Sequence, residues 1–123
     1  MTYEGTKLPN FEPTTSVDEL QKIDIEVGTG DEAQAGATVT VHYTGALCAN
    51  GIIFQSSHDR GQTISFPLSG VIAGWTHGVP GMKVGGTRRL IIPAEMAYGA
   101  NSPASNIPAN SDLVFDIELL GVQ

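Results

Sequence analysis

Two groups of residues in this chain carry side chains that often act as nucleophiles. Ser57, His58 and Asp59 are the residue types of a hydrolytic triad, but they are consecutive. Adjacent side chains diverge, so these three are not expected to form a hydrogen-bonded relay. Cys48 is the only cysteine, and no feature of the sequence marks a base that would activate its thiol. We therefore expect neither a serine nor a cysteine nucleophile.

Motifs for metals and phosphates are also missing from the sequence. His42, His58 and His77 are widely spaced and have no cysteine close to them, so no zinc site is predicted. The segment GVPGMKVGG contains glycine and lysine, but not in the order G-x-x-x-x-G-K-[ST] of a phosphate-binding loop. We expect no metal and no cofactor, so any activity has to proceed without either.

Two aromatic residues are better candidates for a site. Trp75 is the only tryptophan and lies in the apolar, glycine-rich stretch SGVIAGWTHGVPGM. From its surroundings alone, a role in the core and a role as the floor of a binding site are equally favoured. Tyr98 lies in a loop rich in Gly, Pro and Asn, where a large aromatic residue more often serves binding than packing.

Composition and charge narrow the class of protein. The 123 residues favour a single domain, and 41% hydrophobic residues are enough for a core. Thirteen acidic against six basic residues give a net charge of −7, which argues against binding to nucleic acid or to an anionic membrane. The first residues, MTYEGTKLPNFEPTTS, do not have the pattern of a signal peptide, and no apolar run approaches the ~18 residues of a membrane span. We expect a cytoplasmic protein.

Alternating apolar residues predict several antiparallel strands, in the segments KIDIEV, TVTVHYTG, IIFQ, TISFPLSG, TRRLIIP and DLVFDIELLGV. The Asn-Gly pair that ends CANG indicates a hairpin turn. Pro67 cannot donate to a strand ladder, so its strand is expected at an edge or to be irregular there. The residues predicted to form apolar faces are Ile23, Ile25, Val27, Val39, Val41, Tyr43, Ile64, Phe66, Leu68, Leu113, Phe115, Ile117 and Leu119.

Only SGVIAGWTHG is predicted to form a helix, with Ser69 as its cap and with Val71 and Trp75 on one face. A helix of about eight residues is too short to be stable alone, so packing has to hold it. We predict an α+β fold, in which a curved antiparallel sheet of about five strands wraps around one short α-helix. Residues 18–123 are expected to form this domain, and residues 1–17 a flexible N-terminal extension.

Five segments together resemble the FKBP-type peptidyl-prolyl cis-trans isomerases. They are VGTGDEAQAGATVTVHYTGAL, NGIIFQSSHDRG, FPLSGVIAGWTHGVPGMKVGGTRRLIIP, AYGA and IPANSDLVFDIELL, which occur in the family's order within residues 20–121. The resemblance implies the FKBP fold and an enzyme that rotates Xaa-Pro peptide bonds in a hydrophobic pocket, without a cofactor, and so assists protein folding. It also implies proline-containing polypeptides as partners and macrolides of the rapamycin type as further ligands.

The resemblance implies a set of site residues as well. The residues implied as catalytic are Tyr43, Trp75, Tyr98 and Phe115, and those implied as substrate-binding are Phe54, Gln55, Arg60, Ile64, Phe66, Val71, Ile72, Ala97 and Ile107. Trp75 is the expected floor under the proline ring. The Tyr98 hydroxyl and the backbone N–H of Ile72 are expected to donate to substrate carbonyls, and residues 97–111 match the flap over the pocket.

Three positions depart from the family pattern. Gln55 stands where the family usually has Asp, so Arg60 loses an anionic partner. An aromatic residue is common at the position of Ile64, and an apolar residue at that of Asn106. Gln55 and Ile64 keep open an alternative function, a low-activity module that binds proline segments or a macrolide. A further hypothesis is that residues 1–17 dock on a partner or on a neighbouring copy through Leu8-Pro9.

Overall fold

Six antiparallel strands and one short α-helix form the fold in the part of the chain that the computed structural model describes, which is residues 5–8, 11–14, 17–59, 61–101 and 107–122. The elements are β1 (Gln21–Glu26), β2 (Thr38–Leu47), β3 (Ile53–Ser56), β4 (Ile64–Pro67), α1 (Ala73–Gly78), β5 (Thr87–Ile92) and β6 (Leu113–Val122). The predicted class is confirmed, with six strands where about five were expected. No helix among the described residues is long and apolar enough to cross a membrane.

The strands form one sheet in the order β1-β5-β6-β2-β3, and β4 also pairs with β2. Strand β4 lies along the first half of β2, with Val39 opposite Phe66, and β3 lies along the second half, with Thr44 opposite Ser56. Two short strands therefore share one side of β2, which explains the additional strand. Pro67 is the last residue of β4, which pairs with β2 alone, as expected for a residue without an N–H.

The main core lies on the face of the sheet that carries α1. The predicted apolar faces of β2 and β6 are confirmed, because Val39, Val41, Ile117 and Leu119 are fully buried. Strand alternation alone places such residues on one side of a sheet. A second apolar cluster, described below, includes Val114 and therefore uses the opposite side of β6.

Helix α1 begins later than predicted. Ser69 is not its cap but lies exposed in the 3-10 turn Leu68–Gly70, and Ile72 occupies the N-cap position. The backbone is extended at Val71 and at Ile72, with ψ of 176° and 151°, and this interrupts the helical path. Val71 therefore precedes α1 instead of sharing a helix face with Trp75. The predicted short helix is nevertheless present, at six residues.

The apolar face predicted for β1 is wrong. Ile23, Ile25 and Val27 are 45%, 56% and 68% exposed. The register pairs Asp24 with Arg88, whose guanidinium reaches the carbonyl of Gly78 at the end of α1. Neighbouring positions on a strand point to opposite faces, so Ile23 points away from α1. Because β1 is also an edge strand, no described residue of the main core covers the face that carries Ile23.

A second apolar cluster lies where the described N-terminal segments meet the sheet. Its members are Leu8, Val17, Ala46, Cys48, Ile53 and Val114, with Phe11 and Ile91 beside them. The backbone N–H of Leu8 donates to Gly51, and that of Thr14 donates to Cys48, each over 2.8 Å. Leu8 is thus buried within its own chain and not free to enter a neighbour's pocket, while Pro9 lies outside the described residues. The expected domain boundary at residue 18 stays a prediction.

Candidate active site

A cavity of about 430 Å³ opens between α1, its preceding loop and the sheet. Its lining residues are Tyr43, Phe54, Gln55, Phe66, Gly70, Val71, Ile72, Trp75, Tyr98 and Phe115. Nine of these ten were predicted from the sequence, and Gly70 was not. The volume lies in the range of roughly 300–1,000 Å³ typical of small-molecule sites, and aromatic walls are typical of such sites too.

Trp75 is the central ring of this cavity. The centroid of its ring lies 5.5 Å from Tyr43, 5.4 Å from Phe66 and 5.5 Å from Phe115, each time close to perpendicular. Edge-to-face pairs at this separation are favourable. Since Trp75 is only 4% exposed and is held on three sides, its ring has a fixed orientation.

Helix α1 brings Trp75 close to the sheet because two glycines face β5. A Cβ atom on Gly74 would lie 2.5 Å from Cδ1 of Ile92, and one on Gly78 would lie 2.7 Å from Cδ2 of Leu90. Both distances are shorter than a real contact, so with Ile92 and Leu90 in their present positions only glycine fits at this separation of helix and sheet.

Gly45 of β2 was missed by the sequence analysis. A Cβ atom there would lie 2.7 Å from both Cε1 of Phe115 and Cζ of Phe54. These two rings make an edge-to-face contact, with centroids 5.8 Å apart, directly over Gly45. A glycine inside a strand pattern indicates close approach of another group, and this signal in TVTVHYTGAL was available.

Two hydrogen-bond donors of the lining that were predicted to bind substrate have no partner within the described residues. The first is the Tyr98 hydroxyl, on a side chain that is 37% exposed. The loop that carries it is held by its backbone, because the N–H of Gly99 donates to Ala94 over 2.9 Å and that of Asn110 donates to Gly99 over 2.7 Å. Tyr98 is therefore placed at the cavity by its loop while its hydroxyl stays available.

The second donor is the backbone N–H of Ile72, at the N-cap of α1. The carbonyl of Ile72 accepts from the N–H groups of Trp75 and Thr76, but among the described residues no acceptor faces its own N–H. The first N–H groups of a helix have no partner within the helix, so they are open to a ligand. Ile72 lines the cavity beside Val71.

Gln55 lies in the lining, opposite Gly45 in the pairing of β2 and β3. Its half-buried side chain makes no hydrogen bond within the described part of the chain. The wall that it forms is thus neutral and polar.

Three predicted site residues, Ile64, Ala97 and Ile107, are not part of the described lining, and a fourth lies outside the described residues. Ile64 and Ala97 are partly buried against the main core, and Ile107 is buried in it. Arg60, like Asn106, lies outside the described residues. A substrate-binding role for these four positions stays a prediction.

The nucleophile types lie elsewhere. Ser57 is buried, and its hydroxyl oxygen lies 2.8 Å from Nδ1 of His42 and accepts from the N–H of Tyr43. It therefore supports the backbone of β2. Burial and the Asp112 carboxylate raise the pKa of the Cys48 thiol to about 12, so the thiolate form is suppressed. Among the described residues, no group of three His, Cys, Asp or Glu side chains is placed to hold a metal.

The pattern of residues 29–120 matches the model of the FKBP-type peptidyl-prolyl cis-trans isomerases. The chain belongs to this family. It is 53% identical over 97 residues to a probable FK506-binding protein of Corynebacterium glutamicum, an alignment that covers 79% of this chain and 81% of that one. It is 50% identical over 101 residues to the FK506-binding protein of Neisseria meningitidis serogroup B, covering 80% and 92%.

A longer relative and two solved structures agree with this assignment. The isomerase FkpA of Escherichia coli is 46% identical over 99 residues, but this chain spans only 36% of its length. The crystal structure of E. coli FkpA superposes with a TM-score of 0.78 at 44% identity, covering 89% of this chain and 51% of that one. That of AtFKBP13 gives 0.74 at 39%, covering 85% and 93%. This FKBP-type protein is thus a peptidyl-prolyl cis-trans isomerase that assists protein folding.

Proposed function

We propose that the proline ring of an Xaa-Pro segment enters the cavity and stacks against Trp75, and that the peptide bond rotates between the walls formed by Tyr43, Tyr98 and Phe115. The observation that supports this site most is the convergence of an aromatic cage with two unpartnered donors, the Tyr98 hydroxyl and the Ile72 N–H. Such a cage binds an apolar ring, and the donors orient the chain on either side of it.

The barrier to rotation is lost amide resonance, about 18–20 kcal/mol. The planar amide is more charge-separated than the twisted one, so an apolar pocket that removes water disfavours the planar form. A cavity that fits the twisted bond lowers the barrier further by differential binding. A ten-thousandfold acceleration requires only about 5.5 kcal/mol. No proton transfer or covalent step is needed, and apart from its two tyrosines the lining carries no titratable side chain.

The two donors have to act on carbonyls next to the rotating bond. A hydrogen bond to the oxygen of the rotating amide stabilises its charge-separated planar form and would raise the barrier. Tyr98 and Ile72 therefore hold the flanking carbonyls and fix the segment while the bond twists.

This function is tested by NMR exchange on a Leu-Pro tetrapeptide. Catalysis predicts line broadening and faster cis-trans exchange at substoichiometric protein. Chemical-shift changes without faster exchange would instead support the low-activity binding module. No effect at equimolar protein would overturn the proposed site.

For Tyr98→Phe we expect kcat/KM to fall roughly three- to tenfold, because one hydrogen bond to the substrate is lost. The free energy of unfolding should stay the same, since the hydroxyl makes no hydrogen bond within the described residues. Urea unfolding measures the second quantity in parallel. An unchanged kcat/KM would show that the Tyr98 hydroxyl does not contribute to catalysis.

A macrolide of the rapamycin type is the second proposed ligand. The relatives in C. glutamicum and N. meningitidis are named FK506-binding proteins, and the cavity volume of about 430 Å³ suits a compact apolar part of such a molecule.

The cytoplasmic location stays a prediction.

Gln55→Asp is expected to raise macrolide affinity by roughly three- to tenfold. Gln55 contributes a neutral amide to the lining, and a carboxylate accepts stronger, charge-assisted hydrogen bonds from ligand hydroxyls. Isothermal titration calorimetry gives Kd for the wild type, Gln55→Asp and Gln55→Glu. Gln55→Glu is the control, because it adds the same charge on a longer side chain and so places the carboxylate elsewhere. Equal Kd values for all three would show that residue 55 does not limit binding.

A further inference from the structure

The hydroxyl of Thr76 in α1 lies against the loop that leads into the helix. Its Oγ1 donates to the carbonyl of Leu68 over 2.7 Å, while the carbonyls of Ile72 and Val71 are more distant, at 3.4 and 3.5 Å. Leu68 is fully buried, its carbonyl opens the 3-10 turn Leu68–Gly70, and Thr76 is the only side chain among the described residues that donates to it. The threonine thus supplies a bond that a buried carbonyl requires.

This bond fixes the part of the loop that reaches the cavity. The loop, residues 68–72, is held at one end by the N–H of Leu68, which donates to Ala37 over 2.9 Å. At the other end the carbonyl of Ile72 accepts from the first turn of α1. Between these ends, Gly70 and Val71 have extended or turning backbone and face the cavity. The hydrogen bond from the Thr76 hydroxyl to Leu68 connects α1 to the start of this loop.

We propose that Thr76 is a positioning residue for catalysis, which holds the Ile72 N–H and the Val71 side chain at the edge of the cavity. This inference rests on the proposed role of the Ile72 N–H. Thr76 itself is not part of the lining, so it acts through the loop and not on the substrate.

Valine has the shape of threonine without the hydroxyl, so Thr76→Val removes the side-chain donor from the buried Leu68 carbonyl. The carbonyl then depends on the 3-10 turn alone, and residues 69–72 are expected to shift so that it reaches water. Thr76→Ser keeps the hydroxyl and loses only a methyl group. Thr40→Val is the matched control, because Thr40 also forms a hydroxyl hydrogen bond, 2.8 Å from Ser65, but lies outside the lining.

The test combines kinetics with the amide signal of Ile72. NMR exchange gives kcat and KM for an Ala-Leu-Pro-Phe peptide, and ¹H–¹⁵N spectra follow the Ile72 amide during titration with the same peptide. For Thr76→Val we expect kcat/KM to fall roughly fivefold and the downfield shift of the Ile72 amide proton to shrink. Thr76→Ser should restore both, and Thr40→Val should change neither.

The outcomes distinguish failure of the proposed donor, the Ile72 N–H, from failure of the proposed role of Thr76. If the Ile72 amide of the wild type does not shift on titration, the proposed donor fails, and the role of Thr76 fails with it. If the wild-type amide shifts and Thr76→Val leaves both the shift and kcat/KM unchanged, only the role of Thr76 is overturned. A Thr76→Val variant that loses stability but keeps the shift and kcat/KM would also overturn it, since that is a structural effect alone.

Discussion

Replacing Phe115 by alanine is expected to lower kcat/KM by roughly ten- to hundredfold. The ring of Phe115 makes contacts with the rings of Trp75, Phe54 and Tyr43 at centroid distances of 5.5, 5.8 and 6.2 Å. It is therefore both a wall of the cavity and a ring that packs against the other three. Without it the site is wider and wetter, and water around the amide favours the planar form that catalysis has to disfavour.

Loss of stability has to be separated from loss of the site, because truncating a buried Phe costs about 3–5 kcal/mol. Leu119→Ala is the matched control. Leu119 lies on the same strand and the same face, is fully buried and does not line the cavity. Both variants should unfold at lower urea concentration, but only Phe115→Ala should lose kcat/KM at a temperature where circular dichroism shows both folded. Equal kcat/KM values would place catalysis away from Phe115.

The confirmed part of the fold is the part that local patterns specify. In β2 and β6, alternation with a period of two separates core residues from outward ones, and it correctly predicted that Val41 and Ile117 are buried. The edge position of the Pro67 strand also followed from one missing N–H. The exposure of Ile23 did not follow, because the same alternation in β1 does not say which face meets α1. That choice depends on its pairing with β5, about 65 residues further along the chain.

The start of α1 was mispredicted because a local preference met a stronger tertiary constraint. Ser69 is a good N-cap in type, but the chain at Val71 and Ile72 is extended so that both residues reach the cavity. No periodicity in SGVIAGWTHG indicates this break. The Thr76 bond to Leu68 likewise spans eight residues across a turn and leaves no signature in the sequence.

The residues that line the cavity were predicted through the family resemblance, not through periodicity. Alternation placed Tyr43 and Phe115 on core faces, but it did not distinguish a cavity wall from packed core. Gly45, which was missed, and Gly74 of α1 are positions where the absence of a side chain matters. These glycines are required because aromatic rings and aliphatic groups from distant strands pack close to them. A glycine in the sequence indicates a close approach but does not identify the group that approaches.

Gly74→Ala is expected to lower the free energy of unfolding by about 2 kcal/mol. In an isolated helix the same change would stabilise by about 1 kcal/mol, so the sign is the prediction. A Cβ at position 74 would lie 2.5, 2.6 and 2.7 Å from three side-chain atoms of Ile92. Ile92 is fully buried, and two of these three atoms, Cγ1 and Cγ2, are bonded to its Cβ and cannot swing away as Cδ1 can, so α1 is expected to move off β5. Trp75 moves with it, and the emission of this single tryptophan should change in the folded state.

A double-mutant cycle tests whether the clash with Ile92 is the cause. Ile92→Val removes Cδ1, the atom nearest to the added Cβ, at a cost of about 0.5–1.5 kcal/mol. If the contact is responsible, Gly74→Ala with Ile92→Val is destabilised by about 1 kcal/mol less than the sum of the single variants. Gly121→Ala is the control, because its nearest neighbour would be the Thr40 Cβ at an ordinary 3.7 Å, and urea unfolding should show little change. Strict additivity in the cycle, or a stabilising Gly74→Ala, would mean that α1 is not held against β5 by its glycines. The orientation of Trp75 would then have to come from the three aromatic rings around it alone.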